Sequence, residues 1–297
     1  MKSVITFEDL LCEAEQLFLS HDLYFGHGTT SAWDESVFLL SHAFRLGSDP
    51  KSDVLNQEVS IDQAEGFRKL CNRRVNERIP ASYLTSTAWF CGLEFFVDTR
   101  VIIPRSPISE LIFHRFSPWL TDQPNALLDM CTGSGCIGIA CAYEFDEASV
   151  TISDICGEAL EVARRNVEAH SLLNRIEIVK SDCFNDLLGK KFDLIVCNPP
   201  YVDSQEFAAM PNEYRHEPVQ AMLSGEDGLR FTRQLLREAI DHLNPKGILV
   251  VEVGNSALAL EQEFAHVPFI WPSVGVGDSG VFILSHDQLG ENGHFFS

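Results

Sequence analysis

The most informative motif in the chain is Asn198-Pro199-Pro200-Tyr201. It directly follows an apolar run at 192–197, so it stands at the end of a predicted strand. The two prolines fix the backbone and remove two N–H donors, which leaves carbonyl oxygens free to accept hydrogen bonds. The Asn198 side-chain oxygen and the Pro199 carbonyl can together accept from an NH2 group. The motif therefore predicts a site that holds a planar amide or amine.

A glycine-rich turn follows another predicted strand, at 126–131, and forms a second candidate site. Glycines in such a turn let a ligand approach the backbone, and the N–H groups of the next helix then point at it. The spacing Gly133-x-Gly135-x-x-Gly138 matches the dinucleotide fingerprint but does not separate NAD from S-adenosylmethionine. The residues expected to contact a nucleotide-like cofactor here are Asp129, Cys131, Thr132, Gly133, Ser134 and Gly135.

Acidic residues also stand at the ends of the next two predicted strands. Asp154 closes the strand at 149–155, where a carboxylate can accept hydrogen bonds from a ribose diol. Asp182 follows the strand at 175–180 and is placed to bind an adenine amino group. One aspartate at a strand end can be a simple turn or capping residue. Together with Asp129 they indicate a ligand site, because open α/β sheets bind ligands at that edge.

The tetrapeptide has a chemical explanation if the cofactor is a methyl donor. A side-chain amide nitrogen is a poor nucleophile, because its lone pair is delocalised into the carbonyl. Acceptors at Asn198 and Pro199 would hold that nitrogen in line with a sulfonium methyl group and stabilise its growing positive charge. Tyr201 would stack on the planar amide. A rigid turn with a packed tyrosine is the structural alternative, but such a turn requires neither the asparagine nor the aromatic residue.

The elements that must position these motifs alternate between strand and helix after residue 120. Such alternation predicts a parallel sheet with helices on both faces. Apolar segments at 268–271 and 280–284 flank a glycine-rich turn, so the sheet is expected to close with an antiparallel hairpin. The patterns predict strands at 126–131, 149–155, 175–180, 192–197 and 247–253, and helices at 135–143, 157–171, 228–243 and 256–265.

The first part of the chain is organised differently. Apolar residues at helical spacing predict three helices before Pro80, and in the third of them Arg74 is placed among basic residues around an apolar face. The period then changes to two and predicts a β-hairpin. We therefore predict a helical substrate-recognition domain at 1–82, a hairpin connector at 83–105 and a catalytic domain at 106–297.

Composition restricts the environment and the partners. With 43 acidic and 22 basic residues the net charge is -21, which disfavours duplex nucleic acid and attracts a basic partner, although it can also serve solubility alone. No apolar run approaches the roughly 20 residues that span a bilayer, and the start of the chain lacks the pattern of a signal peptide. Nine irregularly spaced cysteines predict reduced thiols and no metal site. We expect a cytoplasmic protein without a membrane partner.

At these motifs the sequence resembles the class I methyltransferases with an Asn-Pro-Pro-Tyr motif, and among them the protein glutamine N5-methyltransferases. The resemblance covers nearly the whole chain. It implies a Rossmann-like, mostly parallel seven-stranded sheet, S-adenosylmethionine as cofactor and a protein glutamine as methyl acceptor. Cys131 stands where many class I enzymes have the first glycine of the loop. Carried onto this chain, the family's cofactor site falls on 131–135, Asp154, Asp182, Cys183, Phe184 and Asn198, and its substrate-amide site on Asn198, Pro199, Pro200 and Tyr201.

Further segments favour one branch of this family. Residues 104–111 depart from the Pro-Arg-Pro-x-Thr-Glu pattern typical of the branch that acts on translation release factors. With 74–80 and 211–218 they resemble the branch that acts on large-subunit ribosomal protein three. The substrate would then be a basic ribosomal protein, positioned by the helical domain and by 211–218. Because Glu213 and Glu217 lie in that segment, we expect them to meet basic residues of the substrate.

Other functions remain open on the sequence alone. The release-factor branch is one. A nucleic-acid amino methyltransferase is another, since exocyclic amines of adenine or guanine present the same conjugated nitrogen, although the negative charge argues against it. An NAD-dependent oxidoreductase would share the glycine loop and leave the tetrapeptide unexplained. A non-catalytic binding module is the last, and cofactor binding without turnover on any protein would support it.

Overall fold

The computed structural model describes residues 5–47, 54–274 and 280–296. These residues form two compact units. One unit contains the described residues up to Ala88 together with Pro211–His216, and the other contains Trp89–Met210 and the residues from Glu217 onward. The short segment Pro211–His216 therefore clusters with the helical unit, although its position in the sequence lies inside the range 106–297 assigned above to the catalytic domain.

The helical unit has one apolar core, to which its three longer helices contribute. The first helix begins at a capping box between Thr6 and Asp9, and the third begins at one between Ser60 and Gln63. The three helices predicted from apolar spacing are confirmed. The elements of this unit are β1 (Ile5–Thr6), α1 (Phe7–Leu19), α2 (Ala32–Phe44), β2 (Glu58–Val59), α3 (Ile61–Glu77) and α4 (Ala81–Thr85), with β1 and β2 antiparallel.

Arg74 lies on the buried face of α3, so the expectation that it belongs to the basic residues around the apolar face is wrong. Its side chain is 1% exposed and ion-paired with two carboxylates that are themselves buried. The guanidinium donates to Glu35 at 2.5 Å, to Glu213 at 3.2 Å and to the carbonyl of Tyr24 at 2.9 Å. Helical periodicity does not reveal such a position, because a charge is buried only where the fold supplies its partners.

Within the described residues, fifteen further α-helices and β-strands follow α4. The predicted hairpin is formed by the first two of them, which join through Cys91 and Gly92, both at positive φ as in a two-residue hairpin turn. In chain order the elements are β3 (Thr87–Phe90), β4 (Leu93–Phe96), α5 (Ile108–Phe113), β5 (Ala126–Met130), α6 (Cys136–Glu144), β6 (Ser149–Asp154), α7 (Gly157–Ala169), β7 (Ile176–Lys180), β8 (Phe192–Cys197), α8 (Ser204–Ala209), α9 (Arg230–Glu238), β9 (Leu243–Glu252), α10 (Ala257–Glu263), β10 (Val281–Ser285) and α11 (His286–Asn292).

The main sheet has the strand order β10-β9-β8-β5-β6-β7, and β10 is its antiparallel member. Alternate strand residues face two apolar cores, one shared with α5, α6 and α7 and the other with α9, α10 and α11. This confirms the predicted α/β sheet covered by helices on both faces. Of the seven strands expected, the described residues form six. The segment at 268–271 is reduced to one antiparallel bridge between Ile270 and Ile283, since the flanking Pro268 and Pro272 supply no N–H donors.

The register of the parallel strands brings the predicted motifs to one edge. Met130, the last residue of β5, pairs with Ser153 of β6 and with Cys197 of β8, and Cys197 pairs in turn with Val251 of β9. The residues that follow these partners are the start of the glycine loop, Asp154, the tetrapeptide and Glu252. The carboxyl ends of four strands therefore deliver four polar segments to the same side of the sheet.

The described residues contain neither a membrane-spanning helix nor a cluster of metal ligands. No helix within residues 5–47, 54–274 and 280–296 is long and apolar enough to cross a membrane. The same ranges contain no group of three or more histidine, cysteine or acidic residues that could hold a metal ion.

All nine cysteines have free thiols, and five of them are buried. Burial raises the pKa of Cys136 to about 12, so this thiol is inert at neutral pH.

The buried charges of the helical unit lead to a prediction about stability. Replacing Arg74 by alanine leaves the buried Glu35 carboxylate without its cation and leaves Glu213 paired only with Arg78, and we expect the free energy of unfolding to fall by about 3–5 kcal/mol. The matched control is Arg73→Ala, since Arg73 is half-exposed and its ion pair with Glu77 spans one helical turn. That change should cost about 0.5 kcal/mol or less. Urea unfolding followed by far-ultraviolet circular dichroism measures both, and similar small losses would contradict the role of Arg74.

Candidate active site

A cavity of about 430 Å³ opens at the carboxyl edge of the main sheet. Its volume lies in the range of small-molecule ligand sites. Seven of the residues singled out from the sequence line it, and they come from four separate turns after strands. These are Cys131, Gly133, Asp154, Asp182, Cys183, Asn198 and Pro200.

The turn after β5 is shaped by Asp129, which is buried below the cavity and does not line it. Its carboxylate accepts hydrogen bonds from the Thr132 hydroxyl at 2.5 Å and from the Gly138 N–H at 2.8 Å. Burial raises the pKa of Asp129 to about 7, although these two hydrogen bonds act in the opposite direction. Asp129 therefore holds the glycine loop in place from beneath, as an internal acceptor for the backbone.

Other residues proposed for the cofactor or the reaction also lie outside the cavity wall. Phe184 is 2% exposed and stacks on His242 with ring centroids 4.2 Å apart, so its ring belongs to the core. Gly135 starts α6 at a φ of 83°, a conformation that glycine adopts without strain. The structure places these residues around the wall, where they support it. The full set outside the lining is Asp129, Thr132, Ser134, Gly135, Phe184, Pro199 and Tyr201.

Asp154 connects two of the turns that form the wall. One carboxylate oxygen accepts from the Gly133 N–H at 3.0 Å, and the other accepts from the Cys156 N–H at 2.9 Å. Burial raises the pKa of Asp154, while hydrogen bonds from backbone N–H groups lower it by less. Each oxygen has a second lone pair, so the carboxylate can still accept from hydroxyl groups of a ligand.

Cys131 has a φ of 58°, the left-handed conformation that a glycine at this position would adopt readily.

Part of the cavity wall is formed by residues that were not predicted from the sequence. Ser153 lines the cavity, and its buried hydroxyl finds no partner among the described residues, which a polar ligand would correct. The residues at 100–102 and a surface between 220 and 234 were missed as well. Neither carried a signal in the sequence, because arginine, glutamine and apolar residues at these positions match no motif. A cavity with the unsatisfied Ser153 hydroxyl and the Asp154 carboxylate beside the glycine loop fits a nucleoside cofactor.

The tetrapeptide divides into a free half and a bonded half. The Asn198 side-chain amide and the Pro199 carbonyl have no hydrogen-bond partner among the residues described, and Asn198 lines the cavity. The Tyr201 hydroxyl donates to Glu252 at 2.7 Å, and the Tyr201 carbonyl accepts from Ser256 at 2.9 Å. Glu252 was missed, although it ends a predicted strand and so carries the same signal as Asp154.

The structure overturns one expectation about substrate binding. Glu213 is fully buried and is ion-paired with Arg74 and Arg78 of the helical unit. Glu217 is 3% exposed and accepts two hydrogen bonds from Arg105, at 2.6 and 2.7 Å. The expectation that these glutamates meet basic residues of the substrate is therefore wrong, because arginines of this chain already hold both carboxylates. A solvent-facing acid was inferred from charge alone, which does not distinguish a surface from an interior pair.

Known proteins resemble this chain over most of its length. Residues 109–213 match the family model described as "Methyltransferase small domain". The ribosomal protein uL3 glutamine methyltransferase of Francisella tularensis subsp. tularensis is 44% identical over 272 residues, 91% of this chain and 87% of that protein. The protein of the same name from Neisseria gonorrhoeae is 42% identical over 290 residues, which are 97% of each chain.

A solved structure supports the fold independently. The hMettl16 catalytic domain, crystallised in complex with an RNA hairpin, superposes with a TM-score of 0.52 at 16% identity and covers 77% of this chain and 84% of that one. Likeness at this level of identity shows a shared methyltransferase fold and is no evidence about the substrate. The two relatives that match almost the whole chain are far more similar. By that similarity, this chain belongs to the family of ribosomal protein uL3 glutamine methyltransferases, transferases whose methyl donor is S-adenosylmethionine.

Proposed function

We propose that this chain methylates the N5 side-chain amide nitrogen of a glutamine in the large-subunit ribosomal protein uL3. The observation that carries the proposal is the free amide of Asn198, which lines the cavity and has no partner among the described residues. A buried or half-buried amide without partners is costly unless a ligand satisfies it. The Francisella and Neisseria relatives, which are named for this reaction, support the choice of substrate.

The cavity has suitable groups for the methyl donor. When bound, S-adenosylmethionine supplies an electrophilic methyl group on a sulfonium sulfur. We assign the ribose hydroxyls to Asp154 and Ser153, because both line the cavity and can accept hydrogen bonds. We assign the adenine amino group to Asp182, which also lines the cavity and is exposed. The assignment of Cys131, Gly133 and Cys183 as contacts follows from their place in the wall.

The tetrapeptide is suited to hold the second substrate. The Asn198 side-chain oxygen and the Pro199 carbonyl would each accept one hydrogen of the glutamine NH2 group, so the nitrogen is fixed in one orientation. Two oxygen dipoles directed at that nitrogen also favour the positive charge that develops as it gains a methyl group. The Tyr201 ring would cover the planar amide. The methylated nitrogen then loses a proton to water, and no strong base is required.

The charge of the chain supports a basic protein as substrate. A net charge of -21 attracts a cationic partner and repels a phosphate backbone, so we propose a protein substrate and no duplex nucleic acid. We further propose that the helical unit takes part in substrate recognition and that the reaction takes place in the cytoplasm, without a membrane partner. The domain assignment of 1–82, 83–105 and 106–297 is part of the same proposal.

The first test identifies the acceptor. We expect the enzyme to transfer label from S-adenosylmethionine to unmodified uL3, and tandem mass spectrometry to place the methyl group on the side chain of one glutamine. Unmodified release factor and a duplex RNA, incubated in parallel, serve as rival substrates. Label on the release factor or on the RNA, with none on uL3, would refute the proposed substrate. Labelled uL3 with the methyl group on any other residue type would refute the proposed chemistry.

The second test concerns the acceptor pair. Asn198→Ala removes one of two oxygens that hold the substrate nitrogen, and we expect kcat on uL3 to fall about 100-fold or more. The dissociation constant for S-adenosylmethionine, measured by calorimetry, should change far less. Asn72→Ala is the control, because Asn72 is an exposed asparagine on α3 of the helical unit. If kcat and cofactor affinity fell together, Asn198 would be a cofactor contact first and the proposal would lose its main support.

A further inference from the structure

Contacts with the ring, the carbonyl group and the hydroxyl group of Tyr201 fix its position. A Cβ atom added at Gly254 would lie only 2.5 Å from Cε2 of the Tyr201 ring, so the backbone of Gly254 packs directly against that ring. Gly254 also has a φ of 48°, which a larger residue would adopt only with strain. The ring therefore rests on a surface that glycine alone can provide.

The backbone of Tyr201 is fixed as closely as its ring. Its carbonyl accepts a hydrogen bond from the Ser256 hydroxyl at 2.9 Å. A Cβ atom at Gly228 would lie 2.2 Å from the same carbonyl oxygen, so this side is filled by backbone as well. Two contacts on the main chain and one on the ring leave the side chain little freedom to turn.

The hydroxyl of Tyr201 ends on a buried carboxylate. It donates to Oε1 of Glu252 at 2.7 Å, and Glu252 is 4% exposed. The second oxygen, Oε2, accepts from the Ser106 hydroxyl at 2.5 Å. Each carboxylate oxygen thus accepts from a separate O–H group, as an ionised carboxylate can. Burial raises the pKa of Glu252, while these two hydrogen bonds and the charge of Arg105 act in the opposite direction.

A carboxylate in this position affects the electron density of the Tyr201 ring as well as the orientation of the ring. A phenol that donates a hydrogen bond to a carboxylate is polarised toward the phenolate, and the effect is strong where the local dielectric is low. The face of an aromatic ring already attracts cations, and added electron density strengthens that attraction. In amide methylation the nitrogen becomes positively charged only as the methyl group transfers. A polarised ring would thus favour the transition state over the bound substrate.

We propose that Glu252 is a positioning residue that acts through Tyr201, fixing the ring over the substrate amide and making its face more negative. The inference rests on the proposed function, since it needs a substrate nitrogen that gains positive charge beside the ring. Glu252 itself does not line the cavity. Of its two hydrogen-bond partners, Ser106 and Tyr201, only Tyr201 belongs to the tetrapeptide, so a double-mutant cycle between Glu252 and Tyr201 tests the proposed route.

The experiment is a double-mutant cycle on the full-length enzyme with uL3 as substrate. Glu252→Gln keeps the shape and an acceptor oxygen but removes the charge, and Tyr201→Phe removes the hydroxyl and keeps the ring. We expect each change to lower kcat about tenfold, the size of one charge-assisted hydrogen bond, while KM for uL3 and the affinity for S-adenosylmethionine stay near the wild-type values. The double variant should be no slower than the slower single variant, because both changes remove the same interaction.

Thr232→Val is the matched control. Thr232 is fully buried in the same unit, and its hydroxyl has no partner within the described ranges, so an isosteric change there should leave kcat unchanged. Full activity of Tyr201→Phe would overturn the inference. If Glu252→Gln does not fold, the kcat of Tyr201→Phe is sufficient to test the inference. Losses that multiply to about 100-fold in the double variant would show that Glu252 acts independently of Tyr201 and would overturn it too.

The same assay separates this inference from the proposed function. If the wild-type enzyme does not methylate uL3, the proposed substrate is wrong, and the role of Glu252 on that substrate falls with it. If the wild-type enzyme methylates a glutamine of uL3 while Glu252→Gln is equally fast, the proposed function stands and only the role of Glu252 is refuted. A tenfold loss of kcat with unchanged cofactor affinity in both single variants supports the inference.

Discussion

Parallel neighbouring strands end at the same edge of a sheet, and the backbone that leaves the ladder there needs new hydrogen-bond partners. In this protein two aspartates meet that need. Asp129 binds the N–H of Gly138 from beneath the glycine loop, and Asp154 binds the N–H groups of Gly133 and Cys156 on either side of the cavity. The turns keep their shape because these carboxylates hold them. The shape of the cavity wall depends on these hydrogen bonds, because Asp154 both lines the cavity and fixes the glycine loop.

Among the described residues, the first two residues of the tetrapeptide keep free hydrogen-bond acceptors, whereas its last residue is fully bonded within the protein. Asn198 and Pro199 keep oxygens without partners in the described structure, and prolines make this possible by removing competing donors. Tyr201 is bonded through its hydroxyl and its carbonyl and packs against Gly254. A free acceptor pair next to an immobilised ring is suited to a substrate amide. In the proposed function the free atoms would bind the amide and the fixed ring would limit its orientation.

The buried glutamates are paired inside their own units. Arg74 and Arg78 pair with Glu35 and Glu213, and Arg105, whose side chain is 26% exposed, pairs with Glu217. These pairs leave the net charge of the chain at -21, and that charge favours a basic partner over a phosphate backbone. Glu213 and Glu217 are internal, so any contribution of acidic residues to substrate binding falls to other positions.

Local patterns did not predict the short helices α5, α8 and α11, and they predicted a strand at 268–271, where the structure has one bridge. They did predict strands β5 to β10, helices α6, α7, α9 and α10, the β3–β4 hairpin and the position of each motif at a strand end. They succeed because periodicity and turn residues act over a few positions, and parallel strands then bring their ends together. Pairing between distant residues was decided by the tertiary structure alone. Arg74 and Glu213 are 139 residues apart, Arg105 and Glu217 are 112 apart, and Tyr201 and Glu252 are 51 apart. A charge or a hydroxyl has the same local pattern in the interior as on the surface, and only the fold determines which partner it meets.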